Sequence, residues 1–301
     1  MPAPLAVFVY KRVAHTARTI AALKACDGFA AASVTVFSDG PKSPADAAEV
    51  AAVRALIVRE LPKANLVTAV ANQGLARSII AGTGTLVRDH GRVIVIEDDL
   101  LVAPDFLTFM NGALDRYADD PRVMQVSGYL PPLTQPFPTA VFMYQTSSWT
   151  WGTWARAWQQ FEAEPVGTER LVGDPAFRRR FNRNGQFDYA KMLDVQMRGG
   201  SDSWAIRWYW SVFKAGRLTL YPRQTMVANI GFDGSGTHGA RGVRRDILEV
   251  FAPDRQGPVP FPACVEVDRN VEAQVHRAYR TSLRSPAAWL RAALRRVSGP
   301  A

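Results

Sequence analysis

The densest cluster of reactive side chains is Glu97-Asp98-Asp99, which follows the apolar run Val93 to Ile96 without a break. Three carboxylates at the end of a buried strand are unfavourable unless a cation or a hydrogen-bond network compensates them. Mg2+ or Mn2+ does this with one or two carboxylates and completes its shell with phosphate oxygens. Alternation along an extended chain turns Glu97 and Asp99 to one side and Asp98 to the other. One carboxylate can then reach a metal while a neighbour contacts sugar or ribose. The plainer alternative is an acidic turn that caps the next helix.

Further candidates are dispersed. Arg12 follows the first apolar run and can pair with a diphosphate, or be a solvated surface residue. Asp39 sits in Asp39-Gly40, a common turn dipeptide. Asp202 precedes the aromatic segment Ser203 to Phe213. It suits a helix cap, and equally a general base that deprotonates an acceptor hydroxyl, since a helix start facing a cleft presents its cap to the ligand. Arg207 lies one turn further on. His238 closes the glycine-rich stretch that begins at Asn229, as a metal ligand or phosphate partner, or as an ordinary loop histidine. Seven of the eight tryptophans fall between Trp149 and Trp210. Trp151, Trp154 and Trp158 recur at helical spacing, which points to core. Trp149, with Ser147 and Ser148, precedes that periodicity and is the candidate to line a pocket against the C–H face of a sugar ring.

The elements that must position these residues alternate. Leu5 to Tyr10, Ser33 to Ser38, Asn65 to Val70 and Arg92 to Ile96 read as strands. Helices are expected at about His15 to Ala25, from Ser43-Pro44 to Leu61, and from Gly74 to His90. Strand and helix in alternation predict an α/β fold with a mostly parallel central sheet and helices on both faces. Ligands of such sheets sit beyond the C-terminal strand ends, where Lys11, Arg12, Asp39 and the acidic triplet all fall. Val123 to Tyr129, Val141 to Gln145 and Leu218 to Tyr221 are later strand candidates.

Composition excludes other classes. Of 301 residues, 48% are hydrophobic and 21% charged, unlike a disordered or collagen-like chain. Cys26 and Cys264 are too few for a disulfide framework or a four-ligand zinc site. No apolar run reaches the roughly 20 residues of a bilayer span, and the expected compartment is the cytoplasm. The net charge of +9 is uneven. Arg277, Arg280, Arg284, Arg291, Arg295 and Arg296 lie in residues 277 to 301, which contain no acidic residue, so the body carries an excess of only three. Residues 286 to 297, wound as a helix, put Trp289, Leu290, Ala293, Leu294 and Val297 on one face and Arg291 and Arg295 on the other. This tail is a candidate for peripheral contact with the inner face of the plasma membrane, and nucleic acid is not an expected partner.

Four segments resemble a known family: Val9-Tyr-Lys-Arg12, Phe37-Ser-Asp39-Gly40, Ile96-Glu-Asp-Asp-Leu-Leu-Val-Ala-Pro-Asp-Phe106, and Thr146 to Trp158. They are similar to bacterial nucleotide-sugar glycosyltransferases of the GT-A fold, in particular the group similar to N-acetylglucosaminyltransferase I. The resemblance covers about Leu5 to His238. It implies a GT-A domain at 1–240 with a C-terminal extension at 241–301, a nucleotide-sugar donor (UDP-linked, with UDP-GlcNAc as a candidate), Mn2+ or Mg2+, and transfer with inversion to a glycan or lipid-linked glycan in polysaccharide biosynthesis. By position it implies that Asp99 binds metal; His238 stays a second metal candidate from its glycine-rich loop. Glu97 and Asp98 would contact donor sugar and ribose, Arg12 and Asp39 diphosphate and base, and Asp202 would be the catalytic base. The animal enzyme has two adjacent acidic residues where this chain has Asp202-Ser203. Its long C-terminal part has no counterpart here, so its acceptor does not carry over. Two rival readings are a nucleotidyltransferase that makes nucleotide sugars, and a non-catalytic peripheral protein that binds membrane or nucleic acid. A nucleotidyltransferase would usually carry a glycine-rich basic loop after the first strand, where this chain has Val13-Ala-His-Thr16.

Overall fold

The computed structural model describes residues 1–130, 136–231, 233 and 257–284. The first half alternates as expected: β1 (Leu5–Val9), α1 (Val13–Lys24), β2 (Val34–Ser38), α2 (Ala47–Glu60), β3 (Asn65–Thr68), α3 (Leu75–His90) and β4 (Arg92–Glu97). A hairpin-like return, β5 (Leu100–Val102), leads to α4 (Phe106–Arg116), β6 (Val123–Ser127), β7 (Val141–Met143) and β8 (Trp151–Trp154). Then come α5 (Ala155–Trp158), α6 (Arg170–Gly173), α7 (Pro175–Phe181), α8 (Tyr189–Met197), α9 (Trp204–Lys214), β9 (Leu218–Tyr221), β10 (Val227–Asn229) and α10 (Arg269–Arg284). The start anticipated at Ser43-Pro44 is a 3-10 turn, Pro44–Asp46, before α2. Ser43 N–H and Oγ both donate to Asp46 there.

Eight strands form one sheet in the order β3-β2-β1-β4-β8-β6-β9-β7, and β5 pairs separately with β10. Within the large sheet β1, β2, β3, β4, β6 and β9 share a direction, while β7 and β8 oppose it. The sheet is therefore mostly parallel. Apolar runs without alternation explain its centre: β1 is buried at every position, and Val93 to Ile96 of β4 are buried on both faces.

The tryptophan segment departs from expectation. Trp151 and Trp154 belong to a strand, with only the one-turn α5 after it. β8 lies between β4 and β6, with α9 over one face and α4 over the other, so all four of its residues are buried and its side chains show no polar alternation. Trp151 stacks on Trp204 of α9 at 5.0 Å. Trp154 points the other way, and its Nε1 donates to the Leu114 carbonyl of α4 at 2.9 Å. The three-residue interval thus marks opposite sheet faces, each covered by helix. The expected core role holds, since Trp151, Trp154 and Trp158 are all buried.

α9 is aromatic all round because it separates two cores. Trp204, Trp208 and Val212 pack on the main sheet, whereas Ile206, Tyr209 and Trp210 pack with Phe177, Phe181 and Leu193 from α7 and α8. Part of the anticipated C-terminal extension returns to the domain. Phe261 stacks on Phe109 at 6.0 Å, and Val271 and Val275 of α10 bury against Val141, Met143 and Tyr221. The buried Arg183 pairs with Glu272 of α10 at 3.1 Å. Residues 285–301, and with them the amphipathic part of the basic tail, lie outside the described residues. Among the described residues no helix is long and apolar enough to cross a membrane.

α3 sits unusually close to the sheet at Gly82. A Cβ there would come within 2.8 Å of the Phe8 ring and 3.0 Å of Phe37, and those rings stack on each other at 5.0 Å. Gly82→Val should therefore destabilise the fold by about 1–3 kcal/mol, the usual cost of overpacking a filled core. Thermal unfolding followed by circular dichroism checks this; an unchanged Tm would contradict the close packing of α3.

Candidate active site

β1 and β4 are neighbours in parallel register, Val7 opposite Ile96 and Phe8 opposite Glu97. Residues leaving the ends of both strands must therefore meet. Arg12, the residue before α1, reaches across with one nitrogen: its Nη2 donates to Asp98 Oδ1 at 2.7 Å and to Asp99 Oδ2 at 2.8 Å. Asp98 is buried, and its Oδ2 also accepts from the Tyr10 N–H at 3.3 Å. The Asp98 carbonyl accepts from Thr19 Oγ1 of α1 at 2.9 Å, which fixes the turn between β4 and β5.

These contacts set the electrostatics. Burial raises the Asp98 carboxyl above its ordinary range, Arg12 pulls it down and Asp99 pushes it up. Burial also works against the charge on Arg12, but Asp98 and Asp99 more than offset this and raise it. Glu97 makes no hydrogen bond or ion pair among the described residues. Burial, then the negative charges of Asp99 and Asp98, push it up to about 8, with Arg12 acting in the other direction. One guanidinium thus faces three carboxylates, and the excess is negative.

A second strand of chain closes over this group. The Ile230 N–H donates to the Asp99 carbonyl at 2.9 Å and extends the β5–β10 ladder. Gly231 follows, where any Cβ would run into Asp99 Oδ2 and come within 3.0 Å of Arg12 Nη1. His15 of α1 holds the same loop, with Nε2 at 3.2 Å from the Ile230 carbonyl and 3.1 Å from Asp233 Oδ2. His238, the second metal candidate, lies outside the described residues.

Asp39, expected to help hold diphosphate and base, lies at the end of β2 against the loop before α3. It is buried, and its carboxylate accepts four N–H groups: Gly40 N at 2.8 Å, Gln73 N at 2.8 Å, Asn72 Nδ2 at 2.9 Å and Gly74 N at 3.0 Å. Those contacts fix the loop before α3 against the end of β2. Arg54 of α2 braces the same corner through Ser38 Oγ and the Asp39 and Ala69 carbonyls.

That loop presents Gly74 to Asp202. A Cβ on Gly74 would lie 3.7 Å from Asp202 Oδ2. Asp202 is not the cap of α9; Ser203 is, its Oγ accepting from Ile206 N. The Asp202 side chain is left 63% exposed, with Oδ1 accepting from Arg207 Nη2 at 2.9 Å. Trp149 is partly buried, its ring edge-on to Tyr129 at 4.4 Å. Trp149 stands two residues before β8, past Thr150, whose backbone is left-handed (φ 47°) and turns the chain out of the strand.

The structure thus brings Arg12, Glu97, Asp98 and Asp99 into one cluster, while Trp149 packs on Tyr129. Asp39 and Asp202 stand on either side of the loop 72–74. Asp46 escaped the sequence reading. It accepts from Tyr10 Oη at 3.0 Å and pairs with Lys11 Nζ at 2.6 Å, which pins the β1–α1 connection. The capping pattern Ser43-Pro44-Ala45-Asp46 signalled only its helix role.

Among the described residues no three His, Cys, Asp or Glu side chains converge as a metal cage. The donor set instead suits a hard divalent cation held by one carboxylate, Asp99, with the remaining positions filled by ligand oxygens. The close approach of Gly231, where a side chain would fill the space over Asp99, fits the same reading.

No family model matches the sequence, and no curated protein matches it significantly. Similar solved structures include the mannosyltransferase PcManGT from Pyrobaculum calidifontis in complex with GDP-Man and Mn2+, 12% identical with a TM-score of 0.39 over 100% of this chain and 90% of that one. Mouse xyloside xylosyltransferase 1 in its apo form is 10% identical, TM-score 0.37, over 71% and 81%. GalNAc-T7 with UDP, GalNAc and Mn2+ is 9% identical, TM-score 0.45, over 78% of this chain and 46% of that one. Likenesses of this strength assign no activity.

The raised carboxyls make stability depend on pH. Between the ordinary glutamate value of 4.5 and about 8, the folded chain holds a proton on Glu97 that the unfolded chain has released. Stability therefore falls as pH rises through that window. With a chelator present, the Tm should drop from about pH 5 to about pH 8, and less steeply in Glu97→Gln, which keeps the neutral form. Parallel curves for the two proteins would contradict this picture of Glu97.

Proposed function

We propose that this chain is a metal-dependent glycosyltransferase of the GT-A type. It would move a sugar from a nucleotide-diphospho-sugar to a hydroxyl of a glycan or glycolipid, with inversion at the anomeric carbon. A UDP-linked donor, with UDP-GlcNAc as a candidate, is the preferred reading, in bacterial polysaccharide biosynthesis at the inner face of the membrane. The observation that carries it is the Glu97-Asp98-Asp99 cluster at the end of the central strand, bridged by Arg12, with Glu97 unpaired. Excess carboxylate at the C-terminal edge of a parallel sheet is what a cation and a diphosphate together would neutralise.

Asp99 would hold Mn2+ or Mg2+, which when bound supplies Lewis-acid stabilisation of charge on the leaving diphosphate, and Glu97 would contact the donor sugar. Arg12 favours the charged form of Asp98 against the opposing effect of burial, holds Asp99 in place, and would add a positive charge beside the diphosphate. Trp149, partly buried, would offer an aromatic wall for the donor sugar. Asp202 is reachable from solvent and oriented by Arg207, as a general base requires. The acceptor oxygen forms a bond to the anomeric carbon, the bond from that carbon to the diphosphate oxygen breaks, and the acceptor proton passes to Asp202. Nucleoside diphosphate leaves.

A nucleotidyltransferase fits less well. Only Tyr10, Lys11 and Arg12 separate β1 from α1, which leaves no glycine-rich phosphate loop there.

A screen of nucleotide sugars by Mn2+-dependent hydrolysis and transfer tests the reading. Asp99→Ala should abolish metal-dependent turnover. Asp202→Asn should lower kcat by about 10²–10⁴ while donor affinity stays unchanged, the usual weight of a general base. Wild-type turnover in either variant would overturn that residue's role, and no response to any nucleotide sugar would overturn the activity.

A further inference from the structure

A cavity of about 240 Å3 opens beside Asp202, lined by Arg77, Ile80 and Ala81 of α3 and by Asp202 and Arg207. The three α3 residues fall at i, i+3 and i+4, so one face of that helix forms one wall. The two arginines differ. Arg207 is buried and committed: Nε donates to the Ser203 carbonyl at 3.1 Å, Nη1 lies 3.4 Å from the Ala163 carbonyl, and Nη2 holds Asp202. Arg207 is a positioning residue for Asp202. Arg77 is exposed and makes no ion pair or hydrogen bond among the described residues. A guanidinium with five unspent donors therefore stands across a small cavity from a carboxylate, with Ile80 and Ala81 as an apolar floor.

We infer that this cavity is the acceptor subsite and that it selects a sugar carrying an anion, either a carboxylate or a phosphate. The inference rests on the transferase reading above and names its acceptor class. The floor takes the C–H face of one ring, Asp202 takes the proton of the attacking hydroxyl, and Arg77 pairs with the anionic substituent through two parallel N–H···O bonds. The anion must lie toward Arg77, because Asp202 would repel it. The volume falls below the roughly 300–1,000 Å3 of drug-sized sites and suits one ring rather than a longer glycan.

The test uses the full chain with Mn2+. Affinities are measured by calorimetry for UDP, methyl glucuronide, glucose 6-phosphate and methyl glucoside, in wild type, Arg77→Ala and Arg77→Lys. The expected result is UDP binding equal in all three proteins, with an anionic sugar bound at least about tenfold tighter than methyl glucoside by the wild type. That preference should vanish in Arg77→Ala and survive in part in Arg77→Lys. Preference for glucuronide alone or phosphate alone identifies the source of the anion. UDP binding with no anionic preference, or with a preference that outlasts Arg77→Ala, overturns this inference and leaves the transferase reading standing. Failure of UDP to bind any of the three proteins overturns the transferase reading and the acceptor role with it.

Discussion

A single guanidinium nitrogen, Nη2 of Arg12, holds both Asp98 and Asp99. Three consecutive acidic residues end and follow β4, whose Val93 to Ile96 are buried, a placement that desolvation alone would disfavour. Arg12 offsets part of that cost, the Tyr10 N–H offsets more, and Glu97 stays protonated to higher pH. The bridge is possible only because β1 lies beside β4, so the residues leaving β1 emerge next to those leaving β4. Removing one partner from such a buried pair leaves an uncompensated charge, which is why the bridge governs both the local fold and the chemistry.

Around it the molecule builds a frame at the same sheet edge. Asp39 and Arg54 tie the ends of β2 and β3 to the loop before α3, and that loop lies against Asp202. α9 is fixed by apolar contacts on both sides, so the residue that precedes its cap has a defined place. On the other side, the Gly231 turn and His15 bring the chain after β10 down onto Asp99. The carboxylate cluster and the loop that touches Asp202 thus lie at the same edge of the sheet.

Much of this was legible in the sequence where local physics decides. Leu5 to Val9 and Val93 to Ile96 are apolar without alternation and had to be strands buried on both faces. Gly91 after His90 marked the end of α3. Placement at strand ends correctly singled out Arg12 and the acidic triplet as neighbours. Misreadings arose where tertiary contacts decide. The spacing of Trp151 and Trp154 mimics a helix because a strand covered on both faces loses its period of two. Asp39 reads as a turn residue with ligand potential, and only the fold reveals the four N–H groups that occupy it. Arg77 gave no signal, since a lone arginine in a helix is ordinary until α9 builds a cavity around it.

The central claim is that the excess carboxylate charge is completed by a divalent cation and a diphosphate together. Mn2+ titration followed by electron paramagnetic resonance, with and without UDP, tests this most directly. The account expects weak Mn2+ binding by the chain alone, tightening about tenfold or more with UDP, as for coupled ligands that share a site, and lost in Asp99→Ala. Mn2+ affinity that is unchanged by UDP, or retained in Asp99→Ala, would contradict it.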